Sequence, residues 1–484
     1  MICHRWTCLS NYTYHKWQQS LIQMGHLVCL SLLVQFAYAQ DTIDYDFHYE
    51  AGSKKITISI EFDATPAGTV NFVIPASGPG TYELTSYVDF VEYVVAYTPD
   101  GQMIPGTRGR GSFFVFDEGE DMISRIHYTV DVDLMESSLL GAFASSKRRE
   151  DYLGVLGYSV FGFLEGLEHL PVLINITTSE NWPVFSTLDP SMNRNLGSDQ
   201  YVAENFALLA DAQYLLGPGV EIGLVENSPI PLFVAAYSEV TIDMKEIGRR
   251  LLLSLEGLEE YFGYIPMPHY TGCFEFLIPK SPRHSYGFSM EHLNSLTMSL
   301  DTSRAIKEYD PNARIGGIVH HMAHSYIPLR SYGEGYRPFE WQTAPLIETI
   351  WLNEGFIWYV MSHGILGAES MVFYERIVDS APDYIKEKSL RELSLLGSTQ
   401  YSNDFRIGRN LYSRGALLAR DLDLMIQEQT NGQKSFKDAL LALLHWTEEN
   451  KRAFQYDEIQ SIISNAIQVD ISEVWNQWQK APKD

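Results

Sequence analysis

From about residue 42 to 237 the chain alternates apolar and polar positions with period two. Ile56, Ile58, Ile60 and Phe62 are interleaved with Thr57, Ser59 and Glu61, and Ile126, Tyr128, Val130 and Val132 repeat the pattern. Such alternation marks strands buried on one face. Turn-forming runs such as "ASGPGT" at 76–81 and "TPDG" at 98–101 punctuate them, which predicts an antiparallel β domain, a sandwich or a relative of one. The period then changes. Met244, Ile247, Leu251, Leu255, Leu258 and Phe262 step by three and four, with Asp243 placed to cap and Gly263 to terminate an amphipathic helix. A strand-like run "CFEFLI" follows at 273–278. Further helices are predicted at 313–326, at 345–362 with Pro345 in the first turn, at 412–429 closed by Asn431-Gly432, and at 435–447 begun by the Ser435/Asp438 pair. The predicted fold class is α+β: an N-terminal antiparallel β domain over 42–237, then a mainly helical domain over 238–484.

The first residues stand apart. The apolar run Leu27 to Phe36 is about ten residues long, too short for the ~20 that span a bilayer, and it is followed by Ala37-Tyr38-Ala39. Residues 1–39 therefore read as a cleaved export signal, with Met24 an alternative start, and the protein is expected to be exported, periplasmic or secreted. Of four cysteines only Cys273 lies beyond that signal, so no internal disulfide is expected. The length of 484 residues supports two domains. A formal charge of -26 without a basic run excludes a nucleic-acid partner and argues against docking on anionic lipid. Peptides, sugars or other small molecules remain as partners, and no membrane role beyond export is expected.

Candidate chemistry concentrates in "GGIVHHMAHSYIPL", 316–329, which holds His320, His321 and His324. On a helix, positions i and i+4 share one face, so His320 and His324 can aim their ring nitrogens at one point. Among 14 histidines such a pair also arises by chance, and the spacing alone decides nothing. A third group changes this. Glu354 lies in the apolar run "TIWLNEGFIWYV", where an unpaired carboxylate is costly and has to meet a partner or a cation. Two His and one Glu with an open fourth position is the donor set of catalytic zinc.

At this point the chain resembles the glycyl aminopeptidase family of zinc peptidases, relatives of aminopeptidase N. That family carries HExxH, then twenty-nine residues, then a ligand Glu in a Trp-x-x-Glu-Gly-Phe-like helix. Here 354 − 324 = 30, so 29 residues intervene, and the helix reads "WLNEGF". "SMEHLNS" at 289–295 is similar to the family's Gly-x-x-Glu-His-x-Asn-Ser strand, "YSRGALLARDLDLMI" from Tyr412 to its Tyr-x-Lys-Gly helix, and "IPASGPGTY" at 74–82 to the Pro-Gly-Ser-Tyr element of its β domain. The resemblance implies a thermolysin-like metallopeptidase domain. It implies Zn on His320, His324 and Glu354, Tyr412 as the donor to the oxyanion, and Glu291 as the group that holds a peptide's free amino terminus.

The departures are His321 where the family has its general-base Glu, Ser289 where it prefers Gly, and Arg414 where it prefers Lys. For His321 three roles stay open by position. A neutral imidazole can act as base, a protonated one is repelled by Zn, and a ligating one closes the open position. Glu334, Glu340 and Glu348 are the nearest carboxylates in sequence that could replace the base, and the intervening "RSYGEGYRPFEW" reads as a loop near the metal. The expected function is zinc-dependent removal of residues from peptide amino termini by metal-activated water. The alternatives are a pseudopeptidase that binds Zn and peptide without efficient turnover, and a zinc-free structural domain.

Overall fold

The computed structural model describes residues 42–479 except 64–69, 117–121, 140–143, 303–315, 369–370 and 402. The export signal expected over 1–39 lies outside the described residues. The fold is α+β, with a sheet-rich N-terminal part and a mainly helical C-terminal part. Alternation becomes register: Ile56, Ile58 and Ile60 of Lys55–Glu61 are fully buried, and their strand lies between Ile43–Tyr49 and Arg125–Asp131. These three are central in a seven-stranded sheet that continues through Val172–Thr178 to Ser198–Ala203 on one side and through Val91–Tyr97 to Met103–Pro105 on the other. All its pairings are antiparallel except that of Ile43–Tyr49 with Val172–Thr178. Two four-stranded sheets complete this part around an aromatic core that includes Phe47, Phe72, Tyr128, Phe161 and Tyr214.

Strands Val220–Leu224 and Leu232–Ser238 fall within the range 42–237, yet they hydrogen-bond into a different, five-stranded sheet, where Leu232–Ser238 is buried on both faces. Its order runs Val220–Leu224, Leu232–Ser238, Tyr270–Leu277, Ser295–Asp301, Gly287–His292. Gly287–His292 is the edge, pairing only with Ser295–Asp301. Because successive side chains of a strand point to opposite faces, this edge has two different sides. Phe288 and Met290 enter the core of the N-terminal part, which leaves Ser289 and Glu291 together on the other face. Asp211 of the N-terminal part secures the tight turn that follows, accepting from the Leu293 N–H at 2.9 Å and meeting His292 Nδ1 at 3.0 Å.

The helices follow their caps. Met244–Phe262 starts at Asp243, whose carboxylate accepts from the N–H groups of Lys245 and Glu246, and stops at Gly263 with φ 86°. Phe436–Asn450 starts with the expected Ser435/Asp438 box. The helix bearing Tyr412 is longer than its apolar pattern predicts, spanning Phe405–Gln429, because Asp404 caps it one turn and more upstream. The described part of the histidine helix is Gly316–Ala323; residues 313–315 of the range predicted for it are not among those described. His324 is thus in the turn after the helix, but its N–H still bonds to the His320 carbonyl at 3.3 Å, which keeps the two side chains on one face.

The glutamate helix differs most from expectation. It begins at residue 350, leaving Pro345 outside it, and is wound as π-helix over Trp351–Phe356 and Val360–Ile365, with one α turn, Ile357–Tyr359, between. Wide turns of this kind recur at functional sites. Two glycines let this helix lie directly on Phe405–Gln429. A Cβ on Gly355 would stand 2.5 Å from the Gly415 Cα, and one on Gly415 would stand 2.1 Å from the Trp351 carbonyl oxygen. This backbone contact fixes Glu354 relative to Tyr412. Gly415→Ala is therefore expected to cost about 1–3 kcal/mol by overpacking and to lower Tm in scanning calorimetry; an unchanged Tm would mean the two helices can separate freely.

Candidate active site

His320 and His324, one helical turn apart, and Glu354, thirty residues further on, meet at one point. The two Nε2 atoms are 3.1 Å apart, and Glu354 Oε2 lies 3.3 Å from that of His320 and 3.4 Å from that of His324. Donor atoms bonded to a tetrahedral zinc at ~2.0–2.1 Å are about 3.3 Å from one another, so this trio has the spacing of three corners of such a site. Its tautomer is set as well. His324 Nδ1 lies 3.0 Å from the Ile327 carbonyl, which can only accept, so Nδ1 carries a hydrogen and Nε2 is the atom presented to a metal. A residue from the other domain holds Glu354: the Tyr82 hydroxyl donates to Oε1 at 3.0 Å.

The local electrostatics favour a cation. Burial pushes His320 down to about 4, with the neighbouring His324 adding to the effect. Burial acts the same way on His324, but the Glu291 and Glu354 carboxylates outweigh it and hold this imidazole up at about 9. Both glutamates stay below the ordinary carboxylate range despite their burial, chiefly through His324. Two buried anions thus retain a proton on His324, where a divalent ion would find the same field. The set His320, His321, His324 and the set Glu291, His324, Glu354 each bring ligand atoms within 4.8 Å of one another. The residues present fit a divalent metal by donor type, spacing and charge.

The cluster opens into a cavity of about 870 Å³. Trp358, Met361, Leu366, Phe373 and Phe405 give it apolar walls, and Leu366, Phe373 and Phe405 are exposed. Tyr412 lines it too. Its ring lies 6.3 Å from that of His320, it stacks on Trp358 at 5.6 Å, and its hydroxyl meets that of Tyr401 at 2.7 Å. Burial and Glu354 raise the Tyr412 phenol well above its ordinary value, so it remains a hydrogen-bond donor. Glu291 Oε2 lies 3.3 Å from His321 Nδ1, while Oε1 is buried with no partner among the described residues. His321 Nε2 faces Ser289 Oγ at 2.8 Å. Of the carboxylates nearest in sequence, Glu334, Glu340 and Glu348, none lines the cavity, and Glu348 is paired with Arg391 at 2.8 Å.

Reasoning along the chain did not find the roles of Tyr82, Ser289, Tyr401 and Ile327. Tyr82 closes the "IPASGPGTY" segment, and it has φ 47°, in the left-handed region a bulky residue rarely adopts. Gly80 just before it has φ 82°, and a Cβ there would fall 2.5 Å from Glu291 Oε1. Only glycine lets this loop approach so closely.

Residues 44–217 match the Peptidase M61 N-terminal domain. Among solved structures, an aminopeptidase N family protein from Idiomarina loihiensis superposes with a TM-score of 0.75 at 16% identity, over 91% of this chain and 76% of that one. An M1 zinc metallopeptidase from Deinococcus radiodurans gives 0.53 at 11% identity, over 91% and 94% of the two chains. Yeast LTA4 hydrolase gives 0.51 at 12% identity, over 92% and 68%. At these identities the structural likeness establishes the fold. No curated protein matches the chain. The fold agrees with the resemblance read from the motifs, and the chain's His-rich cluster could hold a metal.

Removing the Tyr82 hydroxyl leaves Glu354 Oε1 without its donor. Groups that orient a ligand in this way are worth about 10- to 100-fold in metal affinity. Tyr82→Phe is expected to weaken divalent-metal binding by that factor in competition with a chromogenic chelator, with unchanged circular dichroism. Equal affinity would reduce Tyr82 to a packing residue.

Proposed function

We propose that the protein is a zinc-dependent peptidase that removes residues from the amino termini of peptides. The observation that carries this reading is the convergence of two imidazole Nε2 atoms and one buried carboxylate, 3.1–3.4 Å apart, beside a cavity large enough for a peptide end. His320, His324 and Glu354 would hold zinc, which when bound supplies a polarised carbonyl and an acidified water. Tyr412 donates to the oxygen that gains charge. Glu291 Oε1, buried and unpartnered, takes a substrate ammonium by a charge-assisted hydrogen bond, while its Oε2 stays on His321. The apolar walls receive the side chain next to the scissile bond. A mutant M1 zinc metallopeptidase of Deinococcus radiodurans, of the same fold, was solved with a Tyr-Ser-Ala substrate. The apolar run at Leu27–Phe36 supports a location outside the cytoplasm.

One observation favours a second reading, a peptide-binding protein of low turnover. Both nitrogens of His321 are engaged, by Ser289 and by Glu291, so while the Ser289 hydroxyl occupies Nε2 this ring does not serve as base to a water at the His320, His324 and Glu354 cluster.

The two readings separate by measurement. About one zinc per chain is expected in the purified protein, lost in His324→Ala and Glu354→Gln; a protein without metal would remove the first reading. Aminoacyl chromogenic substrates with a free amine are expected to be cleaved and their N-acetyl forms spared. Glu291→Gln should lower kcat/KM by about 10- to 100-fold, as for a charged hydrogen bond of roughly 1.5–3 kcal/mol. An inert wild type that gains activity as His321→Glu would establish the low-turnover reading instead.

A further inference from the structure

Two of the departures from the family pattern meet in space. Ser289 and Glu291, two apart on the edge strand, share one face, and His321 of the neighbouring helix stands against both. Glu291 Oε2 can only accept, so the 3.3 Å contact to Nδ1 places a hydrogen on Nδ1. That tautomer leaves Nε2 as the acceptor, and the Ser289 hydroxyl, 2.8 Å away, donates to it. The polarity of a hydrolytic triad follows: hydroxyl to imidazole to carboxylate, with the last buried to 3% exposure. Ser289 is half-buried, lines the cavity and stands beside its apolar wall. Gly at 289 or Glu at 321, the residues the family prefers, would remove the arrangement.

We propose that Ser289, His321 and Glu291 form a serine-nucleophile relay that cleaves carboxylic esters and amides with an apolar acyl part. Ser289 Oγ attacks the carbonyl carbon as its proton passes to His321 Nε2. The bond to the leaving alcohol or amine breaks, and the leaving group takes that proton, which leaves an ester on Ser289. Water then attacks the ester and gives a proton to Nε2, which returns it to Oγ as the carboxylic acid departs. One water is consumed and no other reactant is needed. Glu291 is the positioning residue, holding the tautomer of His321. The relay rests on the reading of the cavity as a site for acyl substrates, and bound metal has no part in its steps.

A fluorophosphonate, which phosphonylates activated serines, tests it on the full chain as purified, with and without a zinc chelator. In both arms one adduct is expected on the peptide containing Ser289, absent in Ser289→Ala. His321→Gln should slow its formation at least about 100-fold, the usual contribution of a general base. Glu291→Gln should lower the maximal labelling rate and leave the half-saturating probe concentration unchanged. Should Ser289→Ala fold poorly, Ser289→Cys should transfer the reactivity to iodoacetamide, again dependent on His321. No adduct at Ser289, or one formed equally fast in His321→Gln, overturns the relay. Chelator-sensitive aminopeptidase activity with Ser289 unlabelled overturns it while preserving the zinc-peptidase reading. Labelled Ser289 in a metal-free protein supports it while removing that reading.

Discussion

Glu354 is the constraint on which the rest of the structure turns. It is 3% exposed on a helix that is otherwise almost wholly apolar, and an unpaired charge in such a place costs roughly 3–5 kcal/mol. Its partners come from three places: His320 on the histidine helix, His324 in the turn after it, and Tyr82 on a loop of the N-terminal domain. Satisfying one carboxylate therefore positions two domains and two helices at once. The glycine contact between Gly355 and Gly415 brings in the long helix with Tyr412. The donor set is a consequence of the same packing, since groups that neutralise a buried anion are the groups that can share a divalent ion with it.

The edge strand Gly287–His292 shows how the β domain enters the chemistry. Phe288 and Met290 are part of that domain's core, and Asp211 ties down the turn beyond, so the strand cannot rotate without exposing apolar surface. Period two then dictates that Ser289 and Glu291 face the cavity. Gly80 and Tyr82 approach from the same domain. The N-terminal part is thus a structural wall of the site, and a reaction assigned only to the C-terminal part would lack Tyr82 and the support of Glu291.

His321 shows that one position can be read in opposite ways. Along the chain it replaces a base and weakens the case for catalysis. In space it is one of three groups with the polarity of a proton relay. Two changes that each look like losses against the family pattern, at 289 and 321, compensate one another chemically, because each supplies the partner the other needs.

Local patterning determined much by itself. The alternation of Lys55–Glu61 and Arg125–Asp131, the capped helix Met244–Phe262, and the shared face of His320 and His324 were legible, because each rests on short-range periodicity or on a spacing that a helix enforces, while Glu354 stood out as a carboxylate in an apolar run. Tertiary structure alone decided where Val220–Leu224 and Leu232–Ser238 pair, since alternation states that a face is buried and not which sheet buries it. It likewise decided the π winding of Trp351–Phe356 and the meeting of Tyr82 with Glu354 across 272 residues. The orientation of His321 toward Ser289 belongs to the same class. Periodicity reports the direction of a side chain relative to its own backbone, and its partner is chosen by how separate backbones pack.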